Sequence, residues 1–398
     1  MAISLYKEYE ELISAEYKSA ISYASEMAEK NGIKIYLIGG IVRDLILQNQ
    51  IKDIDIAVEY DAVEFSKILA SGIDCEIIAT QENLRTAKVK FKNGVEIDFA
   101  STREETYTKS GVLPIAHNFG CSLELDVKRR DFTINTLALN LTGEEKYSLV
   151  DYFDGYSDIQ NEKIRILHNK SFLDDPSRII RALKFKVRFD FELEEKTYNL
   201  MQEYLSKVDK TMPLERIKGE LKQYFSISKQ GLYQYLIGTN AYKLISNNPI
   251  KDIDEAIFQN EENIWFIYFV LLITNCDYDE RFNLTSIEKK IISEVKEMIN
   301  SKSPISNLEI YNRYVDKNDV SLNIYYVISK DKTVEKFLKA LKQIKVLITG
   351  KDLIELGFIP SAYFNELFEK ILKEKLEGNI QTREEELEFV KQFIKKEE

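Results

Sequence analysis

Short apolar runs alternate with helical patterns over the first hundred residues of the chain. Residues 5–31 have the spacing of one amphipathic helix, which is predicted to end at Asn31-Gly32 because this pair is typical of a helix C-terminus. Lys92-Asn93-Gly94 is typical of a tight hairpin turn. The pattern predicts a small mixed β-sheet packed with helices, with strands at 36–38, 74–78, 87–91 and 95–99 and a further helix at 61–71.

The stretch from Tyr36 to Val58 combines a strand, a Gly-Gly turn and a short helix. Gly39 and Gly40 lack a Cβ, so backbone N–H groups there can approach an anion closely, and the helix predicted over 41–47 begins next to them. Arg43 follows one turn into that helix. An ordinary turn is the alternative interpretation, but the pattern fits a cradle for phosphate.

Two aspartates follow on a second predicted strand. In Asp53-Ile54-Asp55-Ile56 the strict alternation places both carboxylates on one face and both isoleucines on the other. Paired carboxylates repel each other unless a cation lies between them, so beside a phosphate site they predict a divalent metal site. A solvated strand edge is the alternative for this pair taken alone.

Composition and charge restrict the class of protein. The chain has 398 residues, 44% of them hydrophobic, and a formal net charge of −11, which argues against indiscriminate coating of nucleic acid. A local basic segment nevertheless lies between Lys163 and Arg188, where phosphate binding and an ordinary solvated helix face are both open. We find no long apolar run and no secretory signal pattern, so the expected location is the cytoplasm, without a membrane partner.

Cysteine and histidine offer little for chemistry. Cys75, Cys121 and Cys276 are far apart and are expected to be free, buried thiols. His117 and His168 are the only histidines, so neither a zinc site nor a histidine-based triad is expected. The chemistry should therefore depend on carboxylates.

The order GGIVRD, then Asp53-Ile54-Asp55, resembles the signature of nucleotidyltransferases related to DNA polymerase beta. It is most similar to that of the class II tRNA nucleotidyltransferases, which comprise the CCA-adding enzymes and their relatives the bacterial poly(A) polymerases. The resemblance implies catalytic Asp53 and Asp55 holding Mg²⁺, with Gly39, Gly40 and Arg43 binding the triphosphate. It also implies a third acidic residue, Asp98, ahead of the pair Thr102-Arg103; an ordinary solvated strand residue is the alternative there.

Residues 104–128 form a long segment without a sustained period, which in a compact domain predicts a functional or a disordered loop. In the family this connection is a flexible loop that assists the switch to the terminal A, and enzymes that add only CC have it shortened. Its full length here argues against a CC-only enzyme. His117 within it is expected to be a bystander.

Arg129-Arg130-Asp131-Phe132-Thr133-Ile134-Asn135 follows. Guanidinium groups can bind phosphate, and a carboxylate with an amide can bind ribose hydroxyls, although a charged helix start is the plain alternative. The segment is similar to the second motif of the family. That resemblance implies nucleotide binding by Arg129, Arg130, Asp131 and Asn135, with Asp131 and a neighbouring arginine selecting ribonucleotides.

Asp174-Asp175-Pro176-Ser177-Arg178 opens another predicted helix, because Pro176 suits a first turn and an acid suits the cap. Asp175 and Arg178 lie three residues apart, and a surface ion pair between them is the alternative to a site. The segment resembles the nucleotide template of the family, which pairs with C and A and rejects U and G. Arg181, one turn on, is expected to face the same pocket.

Weaker similarities extend along the rest of the chain. Residues 150–167 resemble a third motif, interpreted as a hinge, and residues 213–221 a fifth motif, interpreted as a brace for the template helix. The expected fold class is α+β, with a small mixed β-sheet head of the polymerase-beta type followed by helical segments. The expected domains are a nucleotidyltransferase head at 1–143, a helical neck with the template at 144–225, a helical body at 226–345 and a helical tail at 346–398.

The sequence therefore predicts a template-independent RNA nucleotidyltransferase. Its expected reaction is addition of CCA, from CTP and ATP, to the 3′ end of tRNA with Mg²⁺ as cofactor. The alternatives are an A-adding enzyme acting on tRNA that ends in CC, and a poly(A) polymerase. From a different class, a non-catalytic tRNA-binding protein is the remaining alternative, although such a protein gains nothing from a costly carboxylate pair.

Overall fold

The structure is a computed structural model that describes residues 3–51, 53–72, 75–208, 214–251, 253, 263–274 and 280–394. The chain forms two compact units, residues 1–244 and 245–398. The predicted α+β class is confirmed, because a mixed sheet lies in the first part of the chain and helices make up the remainder. The division into head, neck, body and tail stays a prediction.

The first unit contains a seven-stranded mixed sheet in the order β3-β4-β5-β2-β1-β8-β9. Strand β2 pairs antiparallel to β1 and parallel to β5, so these three strands form the middle of the sheet. The alternating burial of β4 and β5 explains the period of two in the sequence. The strands are β1 Ile35–Ile38, β2 Asp55–Val58, β3 Cys75–Gln81, β4 Thr86–Phe91, β5 Glu96–Ser101, β6 Glu104–Thr106, β7 Ile115–His117, β8 Ala138–Asn140, β9 Leu149–Val150, β10 Lys163–Ile164 and β11 Glu192–Leu193.

Two small sheets accompany the large one. Strands β6 and β7 form an antiparallel hairpin within the long segment 104–128, and β10 pairs parallel with β11. The segment predicted as a loop is therefore partly ordered as a hairpin. Among the strand predictions, position Asp74 lies outside the described residues.

Helices pack against the sheet and continue the chain beyond it. The helices of the first unit are α1 Tyr6–Leu12, α2 Ala15–Lys30, α3 Gly40–Ile46, α4 Ala62–Ala70, α5 Leu123–Val127, α6 Gly155–Gln160, α7 Ser171–Asp174, α8 Ser177–Phe189, α9 Glu195–Ser206, α10 Glu215–Phe225 and α11 Leu232–Gly238. Two 3₁₀ turns, Thr133–Asn135 and Ala241–Leu244, complete this unit.

The single helix predicted over residues 5–31 is wrong. The chain becomes extended at Ile13, and Ser14 begins α2 by accepting a hydrogen bond from the Tyr17 N–H. An N-capping serine satisfies an orphan amide of the new helix, so the break costs little. The hydrophobic spacing continued across this break, which is why the pattern alone suggested one helix.

The second unit is helical throughout its described part. Its helices are α12 Ile264–Ile273, α13 Ser286–Asn300, α14 Asn307–Tyr314, α15 Asp319–Ser329, α16 Lys332–Lys336, α17 Gly350–Glu355, α18 Tyr363–Leu376 and α19 Arg383–Lys391, with a 3₁₀ turn at Glu280–Phe282 and a π-helical turn at Phe337–Leu341. The aromatic face of α12 is core, because Phe266, Tyr268 and Phe269 are buried. None of the described helices has the length and apolar character needed to cross a bilayer.

Cys75 and Cys121 are free, as expected, and they are partly buried. Each lies on or near the accessible margin of the sheet domain, at the start of β3 and ahead of α5 respectively. Cys276 lies outside the described residues.

Candidate active site

The glycine turn joins β1 to α3. Gly39 has φ +75°, a conformation that favours glycine, and its N–H donates to the Leu137 carbonyl at 2.9 Å. A Cβ at this position would lie 2.8 Å from Arg130 Nη1. The turn therefore requires glycine for both its backbone conformation and the close approach of a guanidinium.

Arg43 is almost completely buried behind this turn. It donates to the Asn135 Oδ1 at 2.6 Å and to both carboxylate oxygens of Asp44 at 3.1 Å, and its guanidinium lies 4.6 Å from the centroid of the Phe189 ring. Burial lowers the pKa of Arg43, while Asp44 opposes that shift. The structure thus places Arg43 in the wall of the site, linked to the Asn135 that the sequence analysis had selected independently.

The predicted carboxylates lie together at the neighbouring strands β2 and β5, in the middle of the sheet. Asp53 precedes β2 and Asp55 begins it; both are exposed, while Ile54 and Ile56 are 1% exposed, as the alternation predicted. Asp98 lies directly beside Asp55 on the parallel strand β5. Its carboxylate accepts a hydrogen bond from the Lys88 Nζ at 2.8 Å.

Crowding of negative charge acts on Asp55. Loss of hydration raises the pKa of its carboxyl, the neighbouring Asp98 and Asp53 raise it further, and Arg130 opposes them. A divalent cation between Asp53 and Asp55 would offset this repulsion, so the donor set suits a hard metal ion. Within the described residues no group of three or more His, Cys, Asp or Glu side chains could hold a metal, so the remaining ligands would come from substrate and water.

The Arg-Arg-Asp segment lies between the end of α5 and the 3₁₀ turn. The Asp131 Oδ1 accepts from the Asn135 Nδ2 at 2.9 Å and from the Phe132 N–H at 2.8 Å, and its Oδ2 accepts from the Arg181 Nε at 2.7 Å. Although burial opposes ionisation, Arg181 holds the pKa of the Asp131 carboxyl below its usual value. Asp131 is therefore a fixed anion rather than a freely rotating side chain.

Asp175 and Arg178 both line the cavity but do not pair with each other. The Asp175 Oδ1 accepts from the Ser177 N–H at 3.1 Å, and its Oδ2 accepts from the Arg216 Nη2 at 2.5 Å. Arg178 donates to the Ser171 Oγ at 2.7 Å, and its Nη2 contacts the Arg129 carbonyl and the Tyr107 hydroxyl. The simple surface ion pair considered from the sequence is thus absent between these two described residues.

Arg181 joins three elements. Besides Asp131, it donates to the Glu220 Oε1 at 3.1 Å, and Lys184 donates to the Glu220 Oε2 at 2.7 Å. Helix α10 therefore braces α8 through Glu220, and through the contact of Arg216 with Asp175. The position Pro213, at the start of the predicted brace, lies outside the described residues.

One cavity of about 580 Å³ in the first unit is lined by the predicted nucleotide-binding residues from Gly40 to Arg181, whereas Asp53, Asp55 and Asp98 are not among its lining residues. Sequence reasoning had selected Gly40, Arg43 and the later arginines, but it missed several polar side chains in or around the cavity. Those residues are Glu105, Tyr107, Asp126 and Arg216. The acidic residues just before Arg129 were a possible signal, since a buried carboxylate needs cationic partners.

The chain is similar to a known head domain and to known tRNA nucleotidyltransferases. Residues 35–165 match the model of the poly A polymerase head domain. The A-adding tRNA nucleotidyltransferase of Halalkalibacterium halodurans is 28% identical, with 96% of this chain and 94% of that protein covered. The CCA-adding enzyme of Enterococcus faecalis is 27% identical, with 94% and 95% covered. The A-adding enzyme of Geobacter sulfurreducens is 29% identical over 89% of this chain, which spans only 44% of that longer protein.

Solved structures share the fold over the whole chain. The structure of a CCA-adding enzyme in its apo form II has a TM-score of 0.80 at 24% identity, with 98% of this chain and 99% of that chain covered. The Thermotoga maritima CCA-adding enzyme, in complex with tRNA, has a TM-score of 0.75 at 24% identity, with 99% of each chain covered. At this identity the likeness supports the fold alone.

Fold and head motif together define a nucleotidyltransferase of the polymerase-beta type. Within that class, the head-domain match and the relatives, two of which match nearly the whole chain, support a class II tRNA nucleotidyltransferase. Enzymes of this family generally use a divalent metal ion, which agrees with the carboxylate pair described above.

Proposed function

We propose that the chain adds CCA, from CTP and ATP, to the 3′ end of tRNA in a Mg²⁺-dependent reaction. The observation that carries this proposal is the group of carboxylates in which Asp53 and Asp55 lie next to Asp98. Arg130 is close enough to oppose the rise in the pKa of Asp55. A protein that only binds RNA has no use for this repulsion. Relatives named CCA-adding enzymes and a hairpin segment of full length support the complete CCA reaction.

Asp53 and Asp55 would hold Mg²⁺, which when bound lowers the pKa of a coordinated hydroxyl and offsets charge on a transferring phosphoryl group. Gly39 and Gly40 would let the triphosphate approach the backbone at the start of α3, where the Gly39 N–H itself is bonded to the Leu137 carbonyl, and Arg43 supplies positive charge behind them. Asp98 lies beside Asp55, where it would act as the third carboxylate of the site.

Arg130 and Asp131 are assigned to the phosphate and ribose of the incoming nucleotide, with Asn135 orienting Asp131. Arg181 then holds the second carboxylate oxygen of Asp131, and so fixes the side chain that would bind the ribose. Asp175 and Arg178 are assigned to the base. The 3.3 Å contact of Arg178 with the Tyr107 hydroxyl is its longest, so it is the one that a base edge would replace first.

The second candidate is an A-adding enzyme that acts on tRNA ending in CC. Relatives with that name cover nearly the whole chain, so they favour it as directly as the CCA-adding relatives favour CCA addition. A poly(A) polymerase shares the matched head domain and stands third.

Three tRNA transcripts separate these functions. The purified protein is offered transcripts that end at the discriminator base, at C or at CC, together with CTP, ATP and Mg²⁺. Extension of the first transcript by three nucleotides is expected. Extension of only the CC transcript by one A identifies the A-adding enzyme, long A tails identify a poly(A) polymerase, and binding without extension identifies a non-catalytic protein.

Asp53→Ala is expected to abolish incorporation of both CTP and ATP, by about 10³-fold or more, because the site loses one of the two carboxylates assigned to the metal. Glu64→Ala is the matched control, since Glu64 is an exposed carboxylate that pairs with Lys67 on α4. Primer extension measures both variants. Undiminished turnover by the Asp53 variant would refute the metal assignment.

Arg178→Ala is expected to keep triphosphate binding but to lose discrimination between bases. The expected change is about 10-fold to 100-fold in the ratio of CTP to UTP incorporation, the range of one charge-assisted hydrogen bond. Competition between the two nucleotides on one transcript measures the ratio. Unchanged selectivity would remove Arg178 from the template role.

A further inference from the structure

Two buried carboxylates lie against the Arg129-Arg130 pair. Asp126 is 1% exposed, and its Oδ1 accepts from the Arg103 N–H at 3.0 Å and from the Arg129 Nε at 3.0 Å. The Oε1 of Glu105 accepts from Arg103 at 2.9 Å and from the Arg129 Nη1 at 3.1 Å. Asp126 and Glu105 therefore hold Arg129 from both sides.

Arg129 is the arginine that pairs with both of these carboxylates, while Arg103 shares Glu105 and Arg130 shares Asp126. Although burial acts in the opposite direction, Asp126 and Glu105 raise the pKa of the Arg129 guanidinium, which remains a cation with two anionic partners. A guanidinium satisfied by two carboxylates has little attraction left for a phosphate. Arg129 is thus poorly suited to bind the triphosphate, although it lines the same cavity as Arg130.

Arg130 differs from its neighbour. Its only carboxylate contact in the described part of the chain is the Asp126 Oδ2 at 3.3 Å, and its Nη1 reaches the Asn135 carbonyl at 3.5 Å. The Arg130 Nε is buried with no hydrogen-bond partner among the described residues. Burial lowers the pKa of Arg130, so an anionic ligand would satisfy a group that the protein leaves incompletely paired.

The backbone carbonyl of Arg129 contacts Arg178, the residue that is assigned to the base. Its carbonyl accepts from the Arg178 Nη2 at 2.9 Å, while the ring of Tyr107, two residues beyond Glu105, lies 5.7 Å from the Arg178 guanidinium carbon. Asp126 and Glu105 anchor the side chain of Arg129 and so fix the position of this carbonyl. The same anchors therefore set the orientation of Arg178.

We propose that Arg129, held by Asp126 and Glu105, is a positioning residue for base selection, which acts through its carbonyl on Arg178. The two adjacent arginines then have different tasks: Arg130 binds the nucleotide and Arg129 orients the group that selects the base. This inference rests on the proposed function, because it assigns a specificity role within the same site.

The test compares Arg129→Gln and Glu105→Gln with Arg130→Gln. Dissociation constants for CTP and for UTP are measured by calorimetry in the full chain with Mg²⁺, and incorporation on the tRNA transcript is measured in parallel. Arg129→Gln and Glu105→Gln should lower the CTP preference about 10-fold while weakening CTP binding by less than about threefold. Arg130→Gln should weaken both nucleotides about 10-fold and leave their ratio unchanged.

Arg165→Gln is the matched control. Arg165 also pairs with a buried carboxylate, Asp158, and its carbonyl also accepts a hydrogen bond, from the Thr133 N–H, but it does not line the cavity. This variant should change neither the affinity nor the preference. Thermal melting of each variant checks that it is folded, and Glu105→Gln decides the question if Arg129→Gln is unfolded.

Two outcomes would overturn the inference. If Arg129→Gln weakens CTP and UTP equally, Arg129 is a ligand like Arg130; if it changes nothing, Arg129 is a bystander. The binding ratio is independent of turnover. A protein that binds CTP selectively without extending tRNA would therefore disprove the proposed function and still decide the role of Arg129.

Discussion

Charge at single residues organises this site. Asp55 is kept next to Asp98 and Asp53 in a position that raises the pKa of its carboxyl, whereas Asp126 and Asp131 are held by arginines that lower theirs. The alternation of Asp53 and Asp55 with buried isoleucines was readable from the sequence. The pairing of Asp131 with Arg181 was not, because these residues are 50 positions apart along the chain.

Asp55→Asn should stabilise the metal-free protein while reducing activity about 10³-fold. A carboxyl whose pKa is raised in the folded state opposes folding at neutral pH, and this cost disappears as the pH falls below its unfolded value near 3.8. The variant's melting temperature should thus exceed that of the wild type at pH 7 with EDTA, and the gap should close in acid.

Mg²⁺ should raise the melting temperature of the wild type and not that of the Asp55 variant. Asp158→Asn is the comparison, because Asp158 is paired with Arg165 and its loss should lower stability. If the wild type is more stable than Asp55→Asn in EDTA, Asp55 is not destabilised by burial and by the charges of Asp98 and Asp53.

At the scale of elements, two helical glycines, Gly155 and Gly219, have very different surroundings. Helix α6 begins at Gly155, where a Cβ would lie 2.3 Å from the Thr133 carbonyl oxygen in the motif that carries Asp131. Helix α10 contains Gly219, around which a Cβ would find open space. The sequence predicted a helical brace around Gly219 but only a hinge around Gly155, and it could not distinguish the surroundings of the two glycines, since those depend on a neighbour remote in the chain.

The substitutions Gly155→Ala and Gly219→Ala should therefore act in opposite directions. Gly219→Ala should stabilise the protein by about 0.5–1 kcal/mol through helix propensity. Gly155→Ala should destabilise it by about 1–3 kcal/mol, because a backbone carbonyl must move. Urea denaturation followed by circular dichroism measures both, and equal effects would show that the close approach at Gly155 is unimportant.

At the scale of the whole molecule, the two compact units carry different kinds of buried charge. The first unit concentrates its buried ion pairs around the cavity. In the second unit, Lys375 pairs with the fully buried Glu386, which also accepts from the N–H groups of Leu347 and Ile348 at 2.8 and 2.9 Å. This pair joins α18 and α19 to the segment ahead of α17, over a core that includes Leu353, Leu367 and Val390.

Lys375→Met should destabilise the second unit by about 3 kcal/mol or more, because Glu386 is left buried without its cation. Lys373→Met, an exposed position on the same helix, should cost less than about 0.5 kcal/mol. Calorimetry should show a lowered transition for the first variant, while its affinity for CTP stays unchanged. A parallel loss of CTP affinity would mean that the two units do not act as separate cooperative structures.

The sequence by itself determined the class of fold, the glycine turn, the exposed carboxylates at Asp53 and Asp55, and most of the strands and helices around them. These features depend on local period and backbone preference, which neighbouring residues encode. It failed at Ser14, where a local cap outweighed a continuous apolar pattern.

Only the tertiary structure decided which arginine is neutralised and which is left for a ligand. Arg129 and Arg130 are identical in type and adjacent in sequence, yet Glu105 contacts only the first of them among the described contacts. Such pairing depends on how β6, α5 and α8 meet in space. Electrostatic energy falls with distance between atoms and not with separation along the chain, so no local pattern could supply it.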